Sequence, residues 1–326
     1  MKAIQLIAHG TPASSCSCVE LPEPEAPSAG QITIDIQAAA INPADLLIFE
    51  GRYPGPAELP ANVGIEGAGI VSAIGDGVTE FKIGDHVLSM GRANWSEKVT
   101  ADVNQFIPIP KELPWEQAAQ LKANPPSAHL MLTDYVELQP GDWVIQNAAN
   151  SAVGRHIIAF CKSRGLRSIN IVRRDSLIEE LSALGADVVI NDSGDLGKIV
   201  REKVGQDANI PLGIDAIGGT STLQMANCLS NGGKVVNYGF LSGEPCQMTP
   251  THTIVRGLSL HGFWLVGFMQ RSTREQIISL YQTMSNAFIA GELNVPVEAE
   301  YSLDQINDAL AHAHQENRQG KILLRP

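Results

Sequence analysis

The sequence predicts an α/β protein that combines a region of short strands with a doubly wound parallel sheet. Residues 1–110 contain short extended segments broken by glycine and proline, whereas residues 143–237 alternate apolar strand-like segments with helical spacing. The chain has 326 residues, which suits about two domains, and 44% of them are hydrophobic. This composition supports buried cores and excludes a disordered or fibrous chain.

The first region is predicted to form a partly open β-barrel with little helix. Its clearest strand is QITIDIQAAAI at 31–41, where apolar and polar side chains alternate in the first half. Turn residues bound further strand candidates at 67–75, 84–90 and 97–110.

The pattern changes after Pro114. WEQAAQL (115–121) and PSAHLMLTDYVEL (126–138) have helical spacing. Short apolar segments then alternate with helical ones, which indicates βαβ units on a parallel sheet covered on both faces. The predicted strands are VIQNA, SINIV, DVVIN, LGIDAIG and KVVNYG. After about residue 268 we expect a long helix, a strand, a second helix and a last strand.

Charge and apolar patterning exclude several classes of function. The net charge is −12 and the pI about 5.1, which argues against non-specific binding to nucleic acid or to an anionic membrane. No apolar run approaches the roughly 18 residues of a membrane span, and the N-terminus does not read as a secretory signal. The five scattered cysteines suit a reducing compartment. We expect a cytoplasmic protein, or a mitochondrial matrix protein if the source is eukaryotic and a presequence has been removed.

The segment 143–175 predicts a nucleotide site. An apolar strand runs into a turn of small residues, then a helix, then a second strand. Small side chains let the backbone approach a pyrophosphate, and the first N–H groups of the helix carry partial positive charge that holds it. The residues assigned to this turn are Asn150, Ser151, Ala152, Val153 and Gly154. The alternative is an ordinary tight turn between a strand and a helix.

The end of the second strand indicates which cofactor is bound. Arg173 and Arg174 stand 19 and 20 positions after Gly154, where an acidic residue would bind the ribose 2′-hydroxyl of NAD. Guanidinium groups suit the 2′-phosphate of NADPH, which a carboxylate would repel. Asp175 follows, so the site is not purely basic, and a solvated arginine pair is the alternative. The sequence predicts NADPH.

With these features the chain resembles the medium-chain dehydrogenase/reductase superfamily. It is most similar to the 2-enoyl thioester reductases, the mitochondrial-type enoyl-CoA and enoyl-ACP reductases, with quinone oxidoreductases as near neighbours. The matching segments are INPADLLIFEGRYPG, NVGIEGAGIV, LKANPPSAHLML, VIQNAANSAVG, INIVRRD and HGFWL. The resemblance implies a GroES-like catalytic domain at 1–120 and 268–326, and a Rossmann domain at 121–267. It also implies a homodimer through an edge strand, for which LSLHGF (258–263) is the candidate.

Zinc is not expected, although many members of this superfamily are zinc alcohol dehydrogenases. Ile65 stands where those enzymes carry a ligand histidine, and the four-cysteine loop is missing. His312, His314 and Glu316 suggest a metal site, but on a helix the two histidines would point to different faces. Without a Lewis acid, the acceptor should be an activated alkene or a quinone.

The resemblance also implies a mechanism. Hydride from NADPH adds to the β-carbon of a trans-2-enoyl thioester, and a proton adds to the α-carbon. Tyr53 matches the proton donor of the family, and Asn42 and Trp264 complete the implied catalytic set. A structural tyrosine in a loop, a core tryptophan and a helix-capping role for Asp45 are the alternatives.

Further cofactor contacts are implied by the resemblance alone. They are Asn124, Tyr238, Gly239, Phe240, Leu241, Phe263, Leu265 and Lys321. The partner is expected to be a small acyl thioester, on CoA or on an acyl carrier protein. An acidic carrier would need a local basic patch, for which Arg256, Arg271 and Arg274 are candidates, although a solvated face explains them equally well. Reduction of a quinone or another activated alkene is the alternative activity, and a nucleotide-binding protein without turnover is a third reading.

Overall fold

The computed structural model of the protein describes residues 1–315 and 318–326. The chain forms two compact units. The first unit contains Met1–Ala123 and Ser272–Pro326, and the second unit contains Asn124–Arg271.

The opening segment of the first unit consists mainly of short strands. Its elements are β1 (Lys2–Leu6), α1 (Pro12–Ser15), β2 (Cys16–Glu20), β3 (Gln31–Ala40), α2 (Pro43–Phe49), β4 (Ala61–Asn62), β5 (Ala68–Ile74), β6 (His86–Ser89), β7 (Lys98–Asp102), β8 (Phe106–Pro108) and α3 (Trp115–Ala118). A single 3-10 turn at Val103–Gln105 separates β7 from β8 in this part of the chain.

The second unit alternates helices with strands. Its elements are α4 (Asn124–Thr133), β9 (Trp143–Gln146), α5 (Ala152–Ser163), β10 (Arg167–Val172), α6 (Ile178–Leu184), β11 (Val188–Asn191), α7 (Leu196–Val204), β12 (Leu212–Asp215), α8 (Gly219–Cys228), β13 (Lys234–Asn237), β14 (Ser259–Gly262) and α9 (Leu265–Arg271). A 3-10 turn at Asp175–Leu177 precedes α6, and a π-helical turn at Thr251–Val255 precedes β14.

The closing segment returns to the first unit. It contains α10 (Arg274–Ile289), β15 (Val297–Ser302), a 3-10 turn at Leu303–Gln305, α11 (Ile306–His314) and β16 (Lys321–Arg325). β16 pairs with β3 in the antiparallel sense, so the C-terminus extends the sheet that the opening segment begins.

The first unit is built on two sheets. One sheet has the order β2-β1-β4, and the other has the order β15-β16-β3-β5-β6-β8, with β7 also paired to β3. Their inner faces share one apolar core around Trp95, which is fully buried with its ring centroid 5.9 Å from that of Phe49. Gly64 lies against this tryptophan: its φ is +114°, and a Cβ there would lie 2.6 Å from the Trp95 backbone nitrogen.

The second unit is a parallel sheet with the order β11-β10-β9-β12-β13-β14. Counted along the chain this is the order 3-2-1-4-5-6, the doubly wound arrangement of nucleotide-binding sheets. The strand order reverses at β9, and ligands bind beyond the carboxyl ends of the strands at such a point. The predicted α/β class and parallel sheet are therefore confirmed.

The helix bounds differ from the prediction after Pro114. The predicted helix at 115–121 is shorter in the structure, where α3 ends at Ala118. The predicted helix at 126–138 is wrong at both ends, because α4 begins at Asn124 and stops at Thr133. Pro125 and Pro126 lie in its first turn, where a helix tolerates residues without an N–H donor. In the described part of the chain, no helix has the length and apolar character needed to cross a membrane.

Candidate functional site

The turn between β9 and α5 has the geometry of a phosphate-binding turn. Ser151 caps α5, and its hydroxyl oxygen accepts a hydrogen bond from the Gly154 N–H at 3.1 Å. Ala148 has a φ of +47°, a left-handed conformation that alanine rarely adopts. A Cβ on Gly154 would lie 2.6 Å from the Ala149 carbonyl carbon, so only glycine lets α5 start this close to the turn. The N–H groups at the start of α5 therefore fit a pyrophosphate group.

A buried carboxylate joins the strand ends around this turn. Asp215, at the end of β12, is fully buried and accepts hydrogen bonds from the side chains of Asn147 at 2.6 Å and Thr222 at 2.6 Å. Asn237, at the end of β13, donates to it at 3.2 Å. Asp215 is not among the residues predicted from the sequence, although an aspartate that ends an apolar strand (LGID) is a signal for it. Asp215 holds together the ends of β9, β12 and β13, where the nucleotide-binding loops begin.

The segment Tyr238–Leu241 follows β13 at the same edge of the sheet. The half-buried Tyr238 phenol is hydrogen-bonded to the Ser151 side chain, and burial raises the pKa of Tyr238 above its usual value. A Cβ on Gly239 would lie 2.6 Å from the Ala216 carbonyl oxygen, while Phe240 and Leu241 are exposed. The structure thus brings this predicted loop next to the turn that contains Ser151.

The predicted arginine pair lies just beyond β10. Arg174 precedes the 3-10 turn that begins at Asp175, whose carboxylate accepts a hydrogen bond from the Asn191 side chain at 2.8 Å. Burial raises the pKa of Asp192, and the nearby Arg173 guanidinium opposes that rise. The side chain of Asp175 is therefore tied to β11, and Arg173 lies near a second carboxylate.

Trp264 follows the edge strand β14 and is 49% exposed, so the alternative of a core tryptophan is wrong. Phe263 is anchored by its backbone N–H, which donates to the Asn237 carbonyl oxygen at 2.8 Å, and Leu265 begins α9. A cavity of about 590 Å³ lies here; its lining includes Tyr135, Phe263, Trp264, Phe268 and Arg271. Asn124, predicted to contact the cofactor, is the first residue of α4 and is half-buried.

The first unit contains a buried polar network around Asn42. Its amide nitrogen donates to Glu66 at 2.6 Å, and its amide oxygen accepts a hydrogen bond from the Lys321 ammonium. The second oxygen of Glu66 accepts from the Ala123 N–H at 2.7 Å. These contacts fix the orientation of the Asn42 amide, because each of its ends has a charged partner.

Asp45 has a capping role that differs slightly from the one expected. Asn42 is the N-cap of α2, and Asp45 is the third residue of that helix. The Asp45 carboxylate accepts hydrogen bonds from the backbone N–H groups of Asn42 at 2.8 Å and Ile65 at 3.0 Å. Burial raises the pKa of Asp45 to about 7, although these two N–H groups oppose the shift. Ile65 therefore contacts the Asp45 carboxylate through its backbone N–H and not through its side chain.

Two buried lysines complete the network. Lys122 donates to the carbonyl oxygens of Ile65 at 2.6 Å, Met90 at 3.0 Å and Gly91 at 2.5 Å. Burial lowers the pKa of Lys122 to about 7, and the Glu66 carboxylate opposes that shift. Burial likewise lowers the pKa of Lys321. Lys321 and Asn42 are both predicted site residues, and the structure joins them by a hydrogen bond. Glu66, which binds the other end of the Asn42 amide, is not among the predicted residues.

Tyr53 lies in an irregular segment between α2 and β4. The Arg92 guanidinium carbon lies over the Tyr53 ring, 5.8 Å from its centroid, and the same side chain donates to the Pro54 carbonyl oxygen at 2.8 Å. A cavity of about 300 Å³ lies beside them, lined by Ile48, Gly55, Pro56, Asn62, Val63, Gly64, Arg92 and Ala93.

Among residues 1–315 and 318–326, no group of three histidine, cysteine or acidic side chains has the arrangement of a metal site. His312 is hydrogen-bonded to Tyr301 at 2.9 Å and to Glu298 at 3.1 Å. His314 ends α11, and Glu316 lies outside the described residues.

Comparisons with known proteins match both parts of the chain. A model of the alcohol dehydrogenase GroES-like domain matches residues 28–111, and a model of the zinc-binding dehydrogenase domain matches residues 152–283. The mitochondrial enoyl-[acyl-carrier-protein] reductase of Caenorhabditis elegans is 37% identical and covers 82% of this chain and 78% of its own length. The Homo sapiens protein of the same name is 34% identical over 93% of this chain and 82% of its own length.

Solved structures of two activities share the fold. The complex of Etr1p with NADP and crotonyl-CoA has a TM-score of 0.89 and 25% identity, and covers 100% of this chain and 99% of its own. The Etr1p/Etr2p heterodimer of the Candida tropicalis mitochondrial 2-enoyl thioester reductase has a TM-score of 0.88 and 26% identity, with the same coverage. Escherichia coli quinone oxidoreductase complexed with NADPH has a TM-score of 0.91 and 26% identity, and covers 100% of both chains.

These matches confirm the resemblance that the sequence motifs indicated. They extend over both units, and they include relatives more than 30% identical along most of their length. The chain belongs to the medium-chain dehydrogenase/reductase superfamily, where its relatives include the enoyl thioester reductases and the quinone oxidoreductases.

Proposed function

We propose that the protein reduces the 2,3 double bond of a trans-2-enoyl thioester with NADPH. The observation that carries this proposal is the 37% identity to an enoyl-[acyl-carrier-protein] reductase over 82% of the chain. The phosphate-binding turn and the arginine pair support the choice of cofactor.

The second unit has the residues to hold NADPH. The turn at 150–154 would bind the pyrophosphate at the start of α5, and Arg173 and Arg174 would bind the 2′-phosphate. The loop Tyr238–Leu241 would border the cofactor, since it adjoins Ser151. When bound, NADPH supplies the hydride that adds to the β-carbon of the substrate.

The first unit is proposed to handle the proton. Tyr53 would donate the proton that the α-carbon receives, because its phenol is a hydrogen-bond donor in an irregular loop. Asn42 would keep its amide in a fixed orientation near the reacting groups. Lys321 supports this arrangement through its hydrogen bond to Asn42, which favours a positioning role for the lysine over a direct cofactor contact.

A quinone oxidoreductase is the second candidate, because the Escherichia coli enzyme matches the whole chain with a TM-score of 0.91. The two functions are separated by measuring NADPH consumption with crotonyl-CoA and with a simple quinone side by side. Faster turnover of crotonyl-CoA, with butyryl-CoA as product, supports the proposal. Turnover of the quinone alone favours the alternative, and NADPH binding without turnover of either acceptor favours a non-catalytic role.

We also propose a homodimer through the edge strand β14. Leu260 on this strand is 41% exposed, and Ile254 and Val255 in the preceding π-helical turn are 80% and 74% exposed. Sedimentation velocity should give a dimer mass for the wild type and a monomer mass for Leu260→Glu. An unchanged mass would place the interface elsewhere.

The carrier and the location are narrower proposals. Arg256 and Arg274 are engaged within the protein: Arg256 donates to the Ala226 carbonyl oxygen at 3.0 Å, and Arg274 pairs with Glu80 at 2.8 Å. Two of the three candidate arginines are thus already engaged, while Arg271 is exposed. We propose CoA thioesters as substrates, and a comparison of kcat/KM for crotonyl-CoA and crotonyl-ACP would test this choice. The proposed location is the cytoplasm, or the mitochondrial matrix if the source is eukaryotic and a presequence has been removed, and cell fractionation would check it.

A further inference from the structure

Arg92 makes two contacts with the segment that contains Tyr53. One guanidinium nitrogen donates a hydrogen bond to the Pro54 carbonyl oxygen at 2.8 Å. The guanidinium carbon also lies over the Tyr53 ring, 5.8 Å from its centroid, which is within the range of a cation–π interaction. The backbone contact restrains the residue after Tyr53, and the ring contact restrains the phenol itself.

The loop that contains Arg92 is firmly anchored. The buried Lys122 side-chain nitrogen donates to the carbonyl oxygens of Met90 and Gly91, immediately before Arg92. The fully buried Asn94 donates from its side chain to the carbonyl oxygens of Gly91 at 2.9 Å and Gly64 at 3.0 Å. Arg92 therefore extends from a backbone that is held on both sides by buried polar groups.

The segment that contains Tyr53 has no regular secondary structure to hold it. Residues 53–60 form bends and irregular structure without helix or strand. A side chain in such a segment needs tertiary contacts to keep one orientation, because no regular hydrogen-bond ladder constrains its backbone. Proton transfer needs the donor oxygen within hydrogen-bond distance of its acceptor, so a small displacement of the phenol has a large effect on rate.

We propose that Arg92 is a positioning residue for Tyr53, tying the phenol and the Pro54 carbonyl to the loop that Lys122 anchors. This inference rests on the proposed function, in which Tyr53 is the proton donor. Arg92 also places a cation over the Tyr53 ring, which stabilises the negative charge that spreads into the ring when Tyr53 gives up its proton.

A double-mutant cycle on the full-length protein tests the proposal, with NADPH and crotonyl-CoA as the probes. Arg92→Met should lower kcat by about 10- to 100-fold while KM for both substrates changes less than about threefold. Arg92→Lys keeps the cation and should recover part of kcat. In the Tyr53→Phe background, Arg92→Met should have almost no further effect, because the hydroxyl that it positions is gone.

Two further measurements separate positioning from general support of the fold. The solvent deuterium isotope effect on kcat should rise in Arg92→Met, because proton donation by a misplaced phenol becomes slower than hydride transfer. Arg52→Met is the matched control: Arg52 adjoins Tyr53, is half-exposed and pairs with Glu50, so kcat should stay within about twofold. Arg92 is exposed, so its truncation leaves no buried hole.

The outcomes are distinguishable. A normal kcat in Arg92→Met, together with a low kcat in Tyr53→Phe, overturns the role of Arg92 and leaves the role of Tyr53 intact. An equal loss of kcat from Arg92→Met in both backgrounds shows general support of the fold and also overturns it. A normal kcat in Tyr53→Phe overturns both this inference and the proposed role of Tyr53. Absence of crotonyl-CoA turnover in the wild type overturns the proposed function, and the same cycle run with a quinone then decides the role of Arg92.

Discussion

Single residues at the end of β10 are expected to set the cofactor preference. Replacing Arg173 and Arg174 together by alanine removes the cations that suit a 2′-phosphate. Because a charged hydrogen bond contributes about 1.5–3 kcal/mol, the dissociation constant for NADPH should rise about 10- to 100-fold. The dissociation constant for NADH, which has no 2′-phosphate, should change little. Fluorescence titration of both cofactors measures the two constants.

Arg167→Ala is the control for this prediction. Arg167 lies at the other end of β10 and its guanidinium lies over the Trp143 ring at 5.3 Å. Its loss should leave the ratio of NADPH to NADH affinity unchanged. Equal weakening of both cofactors in the Arg173/Arg174 double variant would contradict the assignment of the 2′-phosphate to this pair.

At the scale of an element, the turn between β9 and α5 stores backbone strain. Ala148 has a φ of +47°, a conformation that costs an L-residue roughly 1–2 kcal/mol. Ala148→Gly removes most of this cost but adds about 0.5–1 kcal/mol of conformational entropy in the unfolded chain. The variant should therefore be slightly more stable than the wild type, by about 0.5–1 kcal/mol. A urea unfolding curve measures the difference.

The neighbouring alanine is the matched control. Ala149 is fully buried and its φ is not in the left-handed region. Ala149→Gly loses a packed methyl group and gains unfolded-state entropy, so it should destabilise the protein by about 1 kcal/mol or more. If Ala148→Gly were destabilising to the same extent, the positive φ would not be a source of strain in the folded protein.

At the scale of the whole molecule, the buried Lys122 is expected to make the free energy of unfolding depend on pH. The folded pKa of Lys122 is about 7, against an ordinary value of 10.5. Between these values the unfolded chain holds a proton that the folded protein has lost, so rising pH favours the folded state. The difference in unfolding free energy between wild type and Lys122→Met should rise from pH 7 to pH 9.5. Its slope should be at most about 1.4 kcal/mol per pH unit.

Comparison with a second lysine isolates this effect. Lys98 is partly exposed and paired with Glu23, which raises the pKa of Lys98 above its usual value, so it titrates above the tested range. Lys98→Met should therefore show no such slope. The lost hydrogen bonds of Lys122→Met add a destabilisation that does not vary with pH. A difference that stays flat from pH 7 to pH 9.5 would show that Lys122 remains charged in the folded protein.

Features whose residues lie close together in the chain could be predicted. The strand, turn, helix and second strand of 143–175 were identified because their hydrophobic periods and small residues are local properties. The structure confirms a parallel sheet there and shows that Ser151 caps α5 and that Gly154 permits its close approach. The start of α4 is harder to predict, because Pro125 and Pro126 lie in its first turn and proline usually disfavours a helix.

The sequence by itself determined the class of fold, the family and the position of the phosphate-binding turn, since periodicity and short motifs encode them. Only the tertiary structure decided how distant residues join. The hydrogen bond between Lys321 and Asn42 spans 279 positions, and that between Arg92 and Pro54 spans 38. Asp215 likewise joins the ends of strands that are far apart in the chain. No local pattern encodes such pairs, because a hydrogen bond depends on where packing of the whole core places its donor and its acceptor.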